Sequence, residues 1–205
     1  MLKPINVAIV LPCTWDFLPI QFFESWIKME KPKHSVIVPK RGRIDDLRNS
    51  AVQSILDCKS FSHILFLDVD HSHHPETIKK LLSHNKRIVS GLSFRRTEPY
   101  DPIMFKLDKN KFENIIEWED GELLEADAVG AASLLIDIDV LEQMKSPWFE
   151  MNYPFGRGVI SEDLSFCLKA KELGYKIYCD TSCTNSHLGN LNVNKETWIR
   201  YNKLD

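Results

Sequence analysis

Ile64-Leu65-Phe66-Leu67-Asp68-Val69-Asp70 is the stretch that decides how this chain folds. An uninterrupted apolar run of this length reads as a strand buried on both faces, and two carboxylates one residue apart mark its end. Open α/β sheets bind ligands just outside the carboxyl ends of their strands, so Asp68 and Asp70 stand where chemistry is done. Two anions this close repel unless a cation lies beside them. A hard divalent ion that keeps coordination positions open for substrate phosphates is the natural partner. Taken alone, the motif reads equally well as a solvated turn whose acids precede a helix.

Upstream of this strand, short β-branched runs alternate with amphipathic ones. The pattern predicts strands over 6–11 and 35–38 and helices over 17–29 and 44–56. Downstream it predicts a helix over 75–83, with Pro75 at the first helical position and Glu76 in the first turn, and a strand over 87–91. Such alternation gives a mostly parallel, Rossmann-type sheet with helices on both faces. Residues 99–127, broken by Pro, Asp, Asn and Gly, predict a hairpin-like insertion and hence a small antiparallel extension. An apolar run over 128–136, small at Gly130-Ala131-Ala132, feeds a short helix over 139–144. A helix over 162–173 stops at Gly174, and 176–179 is the last strand. One domain is expected over 1–205, with 1–95 as a nucleotide-binding half and 96–205 completing the acceptor and metal side.

Composition narrows the function. At 205 residues and 43% hydrophobic, the chain has the size and core of one ordinary domain. A net charge of -3 leaves no diffuse positive field for nucleic acid, so any phosphate must be held locally. Five cysteines cannot all pair, and four lie in or beside apolar runs, which points to a reducing, cytoplasmic setting. The apolar stretch 5–11 is too short for a signal peptide and lacks a small-residue cleavage site. No run approaches the ~20 residues that cross a bilayer.

Several other groups carry potential chemistry. Ser161-Glu162-Asp163 opens a helix after a loop containing Gly156 and Gly158. Acids there serve the helix dipole, or a carboxylate acts as general base. His187, late in the chain, joins the two aspartates in a mixed oxygen and nitrogen site that suits manganese better than magnesium. Lys40, Arg41, Arg43 and Arg48 form either a forked diphosphate contact or a solvated helix start. Cys179, Cys183 and His187 hint at zinc but offer three ligands only. His71, His73 and His74 are expected to be exposed loop residues. Trp148, Phe149, Tyr153 and Phe155 either stack on a sugar ring or form a satellite apolar cluster.

In order, these pieces resemble the family-2-like glycosyltransferases of the GT-A fold. The matching features are the strand ending Val10-Leu11-Pro12, Arg48-Asn49, the strand into Asp68-Val69-Asp70, Gly130-Ala131-Ala132, Glu162-Asp163, Gly174-Tyr175-Lys176-Ile177-Tyr178 and His187. The resemblance spans nearly the whole chain. It implies a nucleotide-diphosphate sugar donor held by Pro12, Thr14, Arg41, Arg48, Asp68 and Gly130, the base lying near Pro12 and Arg48. It implies a divalent metal, Mn2+ ahead of Mg2+, on Asp68, Asp70 and His187. Asp163, with Glu162 beside it, is implied to act on the acceptor hydroxyl. The Gln-x-x-Arg-Trp motif of processive members is absent, which favours a single addition to a saccharide, protein or small-molecule acceptor. The chain is short for the fold, implying an acceptor side that is minimal or completed by a partner subunit such as a second copy. Three rival readings are a haloacid-dehalogenase-type phosphatase, a nucleotidyltransferase lacking its glycine-rich signature, and a sugar-nucleotide-binding module without turnover.

Overall fold

The computed structural model describes residues 5–189 and 193–203. Its first half runs β1 (Val7–Val10), α1 (Ile20–Lys28), β2 (His34–Ile37), α2 (Ile44–Cys58), β3 (His63–Leu67), β4 (His71–Ser72), α3 (Thr77–Ser83) and β5 (Ile88–Leu92). Then come β6 (Met104–Asp108), β7 (Lys111–Asn114), β8 (Leu123–Ala126), β9 (Ala128–Val129), β10 (Ser133–Asp137) and α4 (Ile138–Gln143). The chain ends with β11 (Tyr153–Phe155), β12 (Gly158–Ile160), α5 (Glu162–Glu172), β13 (Ile177–Thr184), β14 (Ser186–His187) and α6 (Lys195–Asn202).

The main sheet has seven strands in the order β2-β1-β3-β10-β5-β13-β8. β2, β1, β3, β5 and β13 share one direction, while β10 and β8 run against their neighbours. The mixed α/β architecture with a mostly parallel sheet is therefore as expected. β1 and β3 are buried throughout, apart from His63. Alternate residues feed two cores: Val7, Ile9, Leu65 and Leu67 pack with Phe22 of α1 and Ile78 of α3, whereas Ala8, Val10, Ile64 and Phe66 pack with Val52 and Ile55 of α2. Burying each of these side chains other than Ala8 contributes about 1.5–3 kcal/mol.

Boundaries shift for local reasons. α1 starts at Ile20, because Pro19 takes the N-cap in an extended conformation, so Phe17 and Leu18 stay outside it and exposed. α3 starts at Thr77, after a turn in which the Thr77 hydroxyl donates to the His74 carbonyl. The single run expected over 128–136 is two strands: β9 joins the β6–β7 hairpin, and β10 crosses back between β3 and β5. The insertion thus supplies β6 and β7 to a three-stranded sheet that β9 completes, while its third strand, β8, pairs at the edge of the main sheet.

Gly91 shapes the route to the site. A Cβ there would lie 2.5 Å from the Cys183 carbonyl oxygen and 2.7 Å from Ser133 Oγ, so only glycine lets β13 approach. Opposite it, the β13 register shifts between Asp180 and Thr184. The displaced chain delivers Asn185 and then β14, which pairs with β4 and sets His187 opposite His71.

Candidate functional site

Order 2-1-3 within the sheet means that the chain leaves β1 toward β2 and later returns to β3 on the other side. The switch point lies between the ends of β1 and β3. A cleft of about 230 Å³ opens there, lined by Pro12, Thr14 and Trp15 after β1, Ile44 and Arg48 of α2, Asp68 to Asp70 after β3, and Glu162 at the start of α5.

Arg48 is the anchor. Its side chain is 2% exposed, lies 2.6 Å from Asp68 Oδ1 and 3.5 Å from Glu162 Oε1, and rests over the Phe66 and Phe149 rings. Burial alone would lower its pKa, but the Asp68, Glu162 and Asp163 carboxylates outweigh that and raise it, so the guanidinium stays firmly charged. Two of its nitrogens, Nε and Nη1, make no hydrogen bond. A buried guanidinium with unspent donors on a cleft fits an anionic ligand.

The carboxylates around it respond to the same burial. The Glu162 carboxyl is pushed up to about 7, by burial first and with Asp163 adding to it, against the opposing pull of Arg48. Burial likewise raises the Asp68 carboxyl despite its Arg48 contact. Asp163 is engaged locally: its Oδ1 accepts from Ser161 Oγ and from the Leu164 amide, in the first turn of α5 where the helix dipole favours a carboxylate. Glu162, not Asp163, is among the cleft-lining residues.

Beside the cleft, Asp70, His71 and His187 bring ligand-type atoms within 4.8 Å of one another. Asp70 Oδ1 accepts from His71 Nδ1 at 2.8 Å, and Asp70 Oδ2 lies 3.2 Å from His187 Nε2. The two imidazoles stack with centroids 4.1 Å apart. His187 Nδ1 lies 3.0 Å from the Phe94 carbonyl, to which it can only donate, leaving Nε2 as the lone-pair nitrogen. His71 is buried and its Nε2 has no partner. Donor chemistry and the unpartnered nitrogen both fit a divalent ion. Asp68, committed to Arg48, is not part of this cluster.

His71 and His73 correct the expectation of an exposed histidine loop: both are buried, and His74 is half-buried. His73 bridges Asn185 Oδ1 at 2.9 Å and the Asp68 carbonyl at 3.0 Å, and so props the Asp68–Asp70 turn against β13. Burial, then the neighbouring His71, lower its pKa to about 4.

Other sequence candidates sit apart from the cleft. Arg41 is exposed and pairs with Asp16, and Arg43 pairs with Asp45. Gly130 is covered by Ile103, whose Cγ2 would be 2.9 Å from an added Cβ. Cys179 and Cys183 are buried free thiols outside the cluster. Trp148 and Phe149 belong to the core, where Phe149 stacks on Phe166 at 4.8 Å. Asn49 fixes that segment, accepting from the Trp148 and Phe149 amides and donating to the Phe149 carbonyl.

Solved structures share this architecture. A197 from STIV superposes with a TM-score of 0.67 at 18% identity, covering 89% of this chain and 86% of that one. The fold is GT-A-like. GalNAc-T7, solved with UDP, GalNAc and Mn2+, matches with a TM-score of 0.60 at 11% identity over 90% of this chain and 43% of its own. S. aureus TarS matches at 0.52 and 15% identity, over 86% of this chain and 37% of its own. This chain therefore spans less than half of these two larger GT-A-like proteins. No protein-family model and no curated protein matches it by sequence. Among the described residues, no helix is long and apolar enough to cross a membrane.

Proposed function

We propose that this chain is a metal-dependent glycosyltransferase that moves a sugar from a nucleoside diphosphate to an acceptor hydroxyl. The observation that carries this reading is Arg48: a buried, charged guanidinium whose Nε makes no hydrogen bond and whose Nη1 has only the 3.5 Å ion pair with Glu162, on a cleft at the sheet's switch point, next to a carboxylate and two imidazoles suited to a divalent ion. In this reading Pro12, Thr14 and Trp15 flank the base, while Arg48 and the ion hold the diphosphate. Asp70 and His187 hold the ion, with His71 beside them; Mn2+ suits their nitrogen content better than Mg2+. The bound ion would orient the diphosphate and stabilise negative charge gathering on the leaving group. Asp68 steadies Arg48. Glu162 takes the proton of the attacking hydroxyl, since a carboxyl poised near 7 is both available as base and strong enough to accept. Asp163 supports it by accepting from the Leu164 amide in the first turn of α5.

Five free thiols agree with a reducing compartment, and in this reading the second half of the chain would carry the acceptor side. The reading is tested by incubating the protein with nucleotide sugars and Mn2+ and following nucleoside diphosphate release, with and without simple acceptors. Metal-dependent release from one donor is expected. Release of phosphate from simple esters, with no diphosphate product, would favour the phosphatase instead.

A further inference from the structure

Arg96 belongs to none of the motifs above, yet it touches the centre of the site. One nitrogen of its guanidinium, Nη2, donates to Asp70 Oδ2 and, at 2.8 Å, to His187 Nε2. These are the two atoms that the metal reading assigns to the ion. They lie 3.2 Å apart, and because Nδ1 of His187 is committed to the Phe94 carbonyl, both present lone pairs to each other. Such a contact repels unless a cation lies between the two atoms, and Arg96 supplies one. The arrangement is built in place: β4–β14 pairing fixes His187, His71 holds the other Asp70 oxygen, and the Arg95 amide ties the Arg96 loop to Asp101.

We propose that Arg96 is a built-in competitor for the divalent ion, so that guanidinium and metal exclude each other at Asp70 Oδ2 and His187 Nε2. The inference rests on the metal reading of Asp70, His71 and His187. Its consequence is a raised threshold for occupancy. An incoming ion must do better than a charge-assisted contact already made, and ions that bind imidazole well gain most from this donor set. Mn2+, Co2+ and Zn2+ therefore displace Arg96, while Mg2+ and Ca2+, which prefer oxygen, do so poorly. The Arg96 side chain is 45% exposed, so it has open solvent to swing into.

The test uses the whole chain and the metal alone, without nucleotide. Mn2+ affinity is read from the electron paramagnetic resonance signal of the free ion, and Co2+ binding from its visible absorption, for wild type, Arg96→Gln, Arg96→Ala and His187→Ala. Both Arg96 variants are expected to bind Mn2+ roughly tenfold tighter or more, the scale of one lost charge-assisted hydrogen bond. Mg2+ binding should gain by about the same factor from a weaker start, because one internal competitor lowers the apparent affinity of every ion it excludes alike, and His187→Ala should bind neither ion well. If wild type binds Mn2+ and both Arg96 variants bind it equally or more weakly, Arg96 is no competitor, although the metal site stands. If neither wild type nor the Arg96 variants bind any of these ions, the metal reading falls and takes this inference with it. Melting curves of the variants show that the proteins compared are folded.

Discussion

Glu162→Gln should stabilise this protein while disabling it. The carboxyl is held at about 7 in the folded chain against 4.5 in the unfolded one. A group whose folded pKa is raised favours folding at low pH and loses that contribution as pH rises toward the folded value. At 1.36 kcal/mol per pKa unit, ionising Glu162 inside the fold costs about 3 kcal/mol by the time pH passes 7. Glutamine removes that cost while keeping the shape. It also weakens a contact with Arg48, which makes ~3 kcal/mol the upper end. The gain should be near zero below pH 4.5, grow between pH 4.5 and 7 and level off above, reaching about 6 to 12 °C in Tm for a domain of this size. The assay is a thermal melt of both proteins at pH 4, 5, 6, 7 and 8. A difference that does not change with pH, or a destabilised variant at pH 8, would refute the reasoning.

Removing the partner charge acts in the opposite sense. Arg48→Ala should destabilise by about 3–5 kcal/mol at pH 8, because it leaves the Asp68 and Glu162 carboxylates buried without a counter-charge; denaturant melts should show a smaller loss at pH 5. Gly91→Ala should cost more than about 3 kcal/mol, since its methyl group meets backbone and a core hydroxyl rather than a flexible side chain; circular dichroism melts check this. His73, with its pKa lowered from 6.5 to about 4, contributes stability that is present above pH 6.5 and lost as pH falls through 4. A His73→Gln variant should therefore show a flatter acid limb in a pH series of melts. In transfer assays Glu162→Gln should keep donor binding and lose turnover, whereas Asp163→Asn should retain most turnover and lose a few tenths to ~1 kcal/mol of stability. The reverse pattern would make Asp163 the base.

Much of the fold was legible because its signals are local. The apolar strand into Asp68, the strand and helix alternation before it and the Gly174 stop each follow from spacing. The direction of β10 does not: a strand buried on both faces reads the same either way, and only its neighbours β3 and β5 make it antiparallel. β4 and β14 are two residues each and exist because a bulge beside Gly91 redirects β13, which no short window contains. His71 and His73 looked solvated because their partners lie far along the chain, Asn185 among them at a separation of 112 residues. Arg48 left a fainter trace. It falls on the buried stripe of α2 with Ala51, Val52 and Ile55, a helical spacing at which a charged residue marks either a core pair or a site. Arg41 and Arg43 lie off that stripe and outside the cleft.

The most direct test of the central claim is a thermal-shift panel of nucleoside diphosphates on the wild-type chain, each with and without Mn2+. A ligand at ~100 times its Kd adds about 2.7 kcal/mol, which for a chain of this length raises Tm by about 5 to 11 °C. One base should give such a shift, the shift should need Mn2+, and Arg48→Lys should abolish it. A shift that appears without metal, or none for any nucleotide in the presence of Mn2+, would contradict the central claim.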